Sequence, residues 1–313
     1  MEVSVLESRF PVVVTAAWTA ARHVLALDVG ADSDRALPGW TPGGHVTIHT
    51  PAGSCSLSLC GRPADDRWRL GVRNRGDGAA RWLHDNATVG TSLEASSPST
   101  TFGIDPNSDN HVLIAGGVGI TPILAMALEL AERGASWHLL YIGSSRQEMA
   151  FLDHLRGVRE RVTVWETASR GRPDVAALVG EWIEGPSTVV YCCGPAGLIE
   201  SVSGVFSGTG SPRVLSERFA ATADLEGSFE VELGRSGGRA QVPAGVSVLD
   251  VLEERGVDIP WSCRAGICGT CETPLLAGRT DHGDSLVGMT RAADVCFPCV
   301  VRAVDGDVIV LDV

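Results

Sequence analysis

The chain has 313 residues, 44% hydrophobic and 20% charged, with a net charge of −13. That length exceeds what one hydrophobic core usually organises, so two or three domains are expected. The composition excludes a disordered chain, and the acidity excludes nucleic acid or an anionic membrane as the main partner. The negative charge gathers late: residues 224–313 hold 15 acidic and 7 basic residues, a net of −8.

The start, "MEVSVLESRF", lacks a basic stretch followed by an apolar run and does not read as a signal peptide. The nine cysteines are therefore expected to be thiols or metal ligands in the cytoplasm rather than disulfides. The first third alternates apolar and polar residues over His45–Thr50, Ser54–Cys60 and Arg67–Arg73, with "TPGG" and "TPAG" as turns. This predicts a small antiparallel β-barrel over residues 1–105, its last strand ending near Phe102.

The middle third changes period. "HVLIAGG" reads as a buried strand, and Pro122 opens a helix that closes before Gly134. The run Val112–Leu130 is uncharged until Glu129, but three glycines and a proline at its centre exclude a membrane span. Trp137–Gly143 and Thr188–Gly194 are further apolar strands. Strands alternating with helices predict a parallel α/β domain over 106–222, with a loop at Ser207–Pro212 and a linker at Ala220–Gly227.

The last third, 226–313, opens on a hairpin, "SFEVELGRSGGRAQV". A short helix follows, capped by Ser247 and closed by Gly256. Then comes "CRAGICGTC", in which Cys263, Cys268 and Cys271 stand in a C-x4-C-x2-C spacing. A two-iron cluster held by four thiolates needs such a loop and one distant cysteine. Gly266 and Gly269 let the backbone curl around the sulfurs. Structural zinc usually takes two close pairs, and disulfides are the other alternative. Cys296 and Cys299 compete for the fourth position.

This spacing is that of plant-type ferredoxins, which residues 226–313 resemble. The whole chain resembles the phthalate dioxygenase reductase family, which joins a flavin barrel, a nicotinamide domain and a C-terminal β-grasp ferredoxin. The resemblance implies Cys299, in "CVVRA", as the last ligand. The loops "AGGVGITP" and "YCCGPAG" follow strands and precede helix starts, where free N–H groups suit phosphate, although glycine loops often only turn the chain. They are similar to the "GGxGxTP" and "CGPxG" that flank the nicotinamide in ferredoxin-NADP reductase-like proteins. Gly116, Gly117, Gly119, Thr121, Cys193, Gly194 and Pro195 match. Ser144 stands where the family often has arginine, with Arg146 remaining, so NADH is expected over NADPH.

The family's flavin motif, "R-x-Y-S", reads here as Cys55-Ser56-Leu57-Ser58, and its "G-G-S" phosphate loop as Gly78-Ala79-Ala80. Phe219 in "ERF" matches the aromatic beside the flavin. The resemblance thus implies FMN, rather than FAD, held by Leu57, Ser58, Gly78 and Phe219 with depleted anion contacts. Ser58 and Thr121 are expected at the flavin–nicotinamide contact and Cys193 near the hydride. The implied function is that of an NADH-dependent reductase passing electrons through flavin and a 2Fe–2S cluster to a partner oxygenase. A Rieske-type oxygenase is the first choice of partner, a cytochrome P450 or other haem monooxygenase the second. The acidic last third is expected to steer docking to a basic surface. The lost flavin contacts favour a rival: a flavin-depleted electron-transfer or scaffold subunit.

Overall fold

A computed structural model describes residues 9–32, 36–74, 76, 78–208, 210–219, 227–261, 266, 269–282 and 294–313. Two compact units divide the chain, one running to Glu217 and the other from Arg218 to Val313. Among the described residues no helix is long and apolar enough to cross a membrane.

The first unit opens with antiparallel strands β1 (Phe10–Ala21), β2 (Val24–Ala31), β3 (Gly44–Thr50), β4 (Gly53–Ser58) and β5 (Trp68–Arg73). Helix α1 (Gly78–Asn86) and strands β6 (Ser92–Ala95) and β7 (Ser99–Thr100) follow. The path β4-β3-β6-β1-β2-β5 is closed by a bridge between Leu59 and Leu70, which makes it a barrel and leaves β7 paired to β3. Val12, Val14, Leu27, Val29, Val46 and Ile48 fill the interior. Two register shifts bend β1, which pairs with both β2 and β6.

Asp28 lies between Leu27 and Val29 and so faces away from that interior. Its side chain is only 4% exposed and accepts from Arg69 Nε at 2.7 Å and Nη2 at 2.9 Å. The Arg69 guanidinium also lies 5.2 Å from the centre of a Trp18 ring. A buried carboxylate is tolerable only with such a two-pronged partner.

The same unit continues with β8 (Asn110–Gly116), α2 (Ile120–Glu132), β9 (Ser136–Gly143), β10 (Val162–Glu166), α3 (Thr167–Arg170), α4 (Val175–Val179), β11 (Thr188–Cys193), α5 (Ala196–Val205) and β12 (Arg213–Glu217). All five strands are parallel, in the order β10-β9-β8-β11-β12. Every residue of β8 and β11 is buried, as expected of strands covered on both faces. The order reverses between β8 and β11. Such a switch point opens a crevice at the carboxyl ends of the strands.

The second unit holds β13 (Phe229–Leu233), β14 (Arg239–Val242), α6 (Val248–Glu254), β15 (Thr273–Ala277), β16 (Thr280–Asp281), β17 (Val295–Cys296), β18 (Arg302–Ala303) and β19 (Ile309–Leu311). The main sheet runs β14-β13-β19-β15-β17, with β13 and β19 parallel at its centre and the other pairs antiparallel. The hairpin, the helix and the returning central strand make a β-grasp. Ser247 caps α6 reciprocally: its hydroxyl accepts from Asp250 N at 3.0 Å, and the Asp250 carboxylate accepts from Ser247 N at 3.3 Å. Barrel, parallel α/β sheet and β-grasp are the three folds expected from the sequence.

The Asp28–Arg69 pair supplies a stability test. Asp28→Ala leaves a half-buried guanidinium without its carboxylate and should lower the unfolding free energy by about 3–5 kcal/mol. Arg81→Ala breaks only an exposed pair with Asp85, one helical turn away, and should cost less than about 0.5 kcal/mol. Urea unfolding followed by tryptophan fluorescence measures both; equal losses would show that burial adds nothing to the Asp28 pair.

Candidate functional site

Two glycine loops meet at the switch point. β8 ends at Gly116 and runs through a turn at Gly117–Gly119 into α2, while β11 ends at Cys193 and runs through Gly194 and Pro195 into α5. Gly117 has φ +55°, which suits glycine. A Cβ on Gly119 would lie 2.2 Å from the Cys193 carbonyl oxygen, and one on Gly116 would lie 2.8 Å from Pro195 Cδ. One on Gly194 would come within 3.0 Å of Gly116 Cα. Glycine at these three positions is what lets the loops touch. Both loops lead into helices of ten residues or more, so the N–H-bearing, positive ends of two helices gather at one edge of the sheet. That donor set fits an anionic pyrophosphate.

Thr121 is buried, and its hydroxyl donates to Val118 O at 3.0 Å, in the turn just before α2. Its methyl faces the barrel, 2.7 Å from where a Cβ on Gly71 of β5 would stand. Thr121 therefore joins the glycine loop to the barrel. Tyr141 braces the loop from β9: its hydroxyl lies 3.3 Å from Gly117 O and 3.1 Å from Ala150 O.

Cys193 and Glu217 are register partners on β11 and β12, both buried. The Cys193 thiol points at Glu217 Oε2, 4.0 Å away. Burial pushes the Glu217 carboxyl up to about 8. Burial first, then Glu217 and Cys192, push the Cys193 thiol well up. At neutral pH the floor beside the loop is thus an uncharged thiol and an uncharged acid. The sequence reading missed Glu217. It was visible only as the first letter of "ERF", and nothing in the composition of β12 announces that a carboxyl is buried there. Phe219, two residues on, is half-buried and belongs to the second unit.

On the barrel, Ser58 closes β4 opposite His45 and is buried. Leu57 is 9% exposed and packs into the barrel core, against which Cys55 and Ala80 also rest. Gly78, with φ +57°, starts α1, whose first turn carries no acidic residue. These amides fit a phosphate, while position 55 offers it no cation. Arg81 is turned to Asp85, with Nε 2.5 Å from Oδ2.

In the second unit Cys271 and Cys299 are buried with their sulfurs 3.2 Å apart. They converge from residues 28 apart in sequence, the arrangement thiolates need to share one metal centre. Gly266 (φ +65°) and Gly269 (φ +75°) are both left-handed, as a tight loop requires. Cys296 lies in β17, opposite Thr273 of β15. Cys263 and Cys268 lie outside the described residues, and among the described ones no third ligand joins the pair.

The model of the 2Fe-2S iron-sulfur cluster binding domain matches residues 231–304, and one described as the C-terminal domain of adenylate-forming reductase 03009 matches 108–202. The chain is 39% identical to phenoxybenzoate dioxygenase subunit beta of Ectopseudomonas oleovorans, over 87% of this chain and 88% of that one. It is 38% identical to the heme-dependent oxidative N-demethylase beta subunit of Ectopseudomonas mendocina, over 88% and 90%. Among solved structures it matches phthalate dioxygenase reductase with a TM-score of 0.80 and 29% identity, over 98% of each chain. The likeness runs through the barrel, the α/β sheet and the iron–sulfur part alike: the chain belongs to the phthalate dioxygenase reductase family, and it is an oxidoreductase that serves an oxygenase system as its reductase.

Proposed function

We propose that this reductase takes electrons from NADH, carries FMN more loosely than its relatives, and feeds a Rieske-type oxygenase through Cys263, Cys268, Cys271 and Cys299. The convergence of Cys271 and Cys299 is the observation that carries the outlet. The pairing of the two glycine loops supports the inlet, with Gly116, Gly117, Gly119, Gly194 and Pro195 shaping the pyrophosphate cradle. A hydride brings two electrons and a 2Fe–2S cluster accepts one at a time; a flavin between them makes that conversion. The chain's own part is to orient and to exclude charge. Cys193 and Glu217 give the nicotinamide an uncharged floor, while Thr121 ties that floor to the barrel strand beside which Ser58 and Leu57 would meet the ring. Gly78 at the start of α1 would face the phosphate. Cysteines used as thiols and ligands support a cytoplasmic location.

The dioxygenase in the name of one relative supports a Rieske-type recipient. A haem-containing recipient is the second reading, favoured by the N-demethylase relative of nearly equal identity. NADH is favoured because Ser144 brings no charge and Arg146 is already paired with Glu166.

Three outcomes test this. Cys299→Ser should abolish bound iron and sulfide, whereas Cys296→Ser, a change within a strand pair, should leave most of both. Iron retained in Cys299→Ser and lost in Cys296→Ser would reverse the assignment.

FMN should bind roughly 10²–10⁴-fold more weakly than in relatives with the full arginine–tyrosine–serine set. A charge-assisted hydrogen bond, a neutral one and an aromatic contact are all missing. Fluorescence titration measures the affinity, and Cys55→Arg should tighten it; a nanomolar Kd in the unaltered chain would defeat the idea.

Glu217 sets a pH dependence. Its folded value, about 8, lies above its ordinary 4.5, so the folded chain keeps a proton that the unfolded chain releases. Stability should therefore fall as pH rises between those values, by at most about 1.4 kcal/mol per pH unit. Glu217→Gln should flatten that fall in urea unfolding between pH 5 and 8. An equal slope in both proteins would mean that Glu217 is ionised throughout.

A further inference from the structure

The carboxyl ends of β8, β9 and β10 lie side by side, with Gly116 opposite Ile142 and Gly143 opposite Glu166. Two strand spacings, roughly 10 Å, therefore separate the glycine loop from Glu166. A nucleotide whose pyrophosphate rests on that loop can lay its adenosine along this edge. What stands there is an opposed pair. Glu166 Oε2 accepts from the Arg146 backbone N–H at 3.2 Å, and its Oε1 lies 3.4 Å from Arg146 Nε. A further bond, Ala168 N–H to Ser144 O at 3.0 Å, clasps the two loops together. The neighbouring cation, Arg170, lies over the Trp165 ring, 5.2 Å from its centre. The Glu166 side chain is one-third exposed and that of Arg146 nearly two-thirds, so a ligand can reach both.

We propose that Glu166 is the residue that sets donor specificity, and that Arg146 is a latent ligand for a 2′-phosphate which Glu166 keeps occupied. This rests on the NADH reading above. A carboxylate has about four lone-pair sites. Two are engaged by Arg146, which leaves two for the 2′- and 3′-hydroxyls of an adenosine ribose. A 2′-phosphate brings no donor and close to two negative charges, so the same carboxylate repels it. Removing the carboxylate ends that repulsion and frees the guanidinium, whose fork suits phosphate. Charge is thus the discriminating element, and it comes from a strand end that periodicity in the sequence did not reveal.

The test uses the full-length holoprotein with NAD⁺ and NADP⁺ as calorimetric probes, and NADH and NADPH as donors to ferricyanide. Glu166→Ala should raise both the NADP⁺/NAD⁺ affinity ratio and the NADPH/NADH ratio of kcat/KM by about 10–100-fold, the worth of one charge-assisted contact. Glu166→Gln, which keeps the shape and an acceptor for the Arg146 amide, should move both ratios the same way by less. Adding Arg146→Ala to Glu166→Ala should remove most of the gain. Ratios that stay within about threefold of the unaltered protein in Glu166→Ala, or a gain that survives the second substitution, would overturn the proposal. An unaltered protein that prefers NADPH would instead refute the NADH reading itself.

Discussion

The contact between the two glycine loops is the constraint on which the rest of the first unit depends. Gly119 sits so close to the Cys193 carbonyl that no side chain fits between them. That approach brings the end of β11 to the start of α2, and so fixes where the Cys193 thiol and the helix N-termini stand relative to each other. Moving either loop by one atom's width would separate the phosphate donors from the uncharged floor. Thr121 extends the same constraint to β5, because its methyl uses the space that glycine leaves at position 71. Barrel and parallel sheet belong to one compact unit, and electron transfer from nicotinamide to flavin needs that kind of fixed approach.

The barrel has the family's architecture without a cation at position 55. Leu57, Cys55 and Ala80 all contribute to, or rest against, the hydrophobic interior. Positions 55, 57 and 80 here serve packing, which tolerates many side chains of suitable size. Binding of an anion does not tolerate such exchange, because no apolar residue replaces a guanidinium. Fold and cofactor affinity can therefore drift apart within one family.

Much of the fold was legible in the sequence where one physical signal dominated. The apolar runs of β8, β9 and β11, the cap at Ser247 and the glycine loops each have a single cause and appeared where expected. The long β1 and its partner β2 were not anticipated. "TAAWTAAR" is alanine-rich and has a register shift at each end, so its alternation is broken while its local preference is helical. Strand β10 was overlooked as well; it is only half-buried along its length and follows an irregular stretch of 3-10 turns. With it went Glu166, and with β12 went Glu217. Both are carboxylates at the ends of short strands, whose meaning depends on which strand lies beside them. That is a property of sheet order, which no local pattern encodes.

Oxidants attack thiolates far faster than thiols. Cys193 shares its buried place with a carboxyl that is itself uncharged, and burial, Glu217 and Cys192 all favour the protonated thiol. The arrangement that sets Cys193 beside an uncharged acid therefore also keeps that sulfur chemically quiet. Oxidative wear on this protein should fall first on its exposed edges and last on this buried thiol.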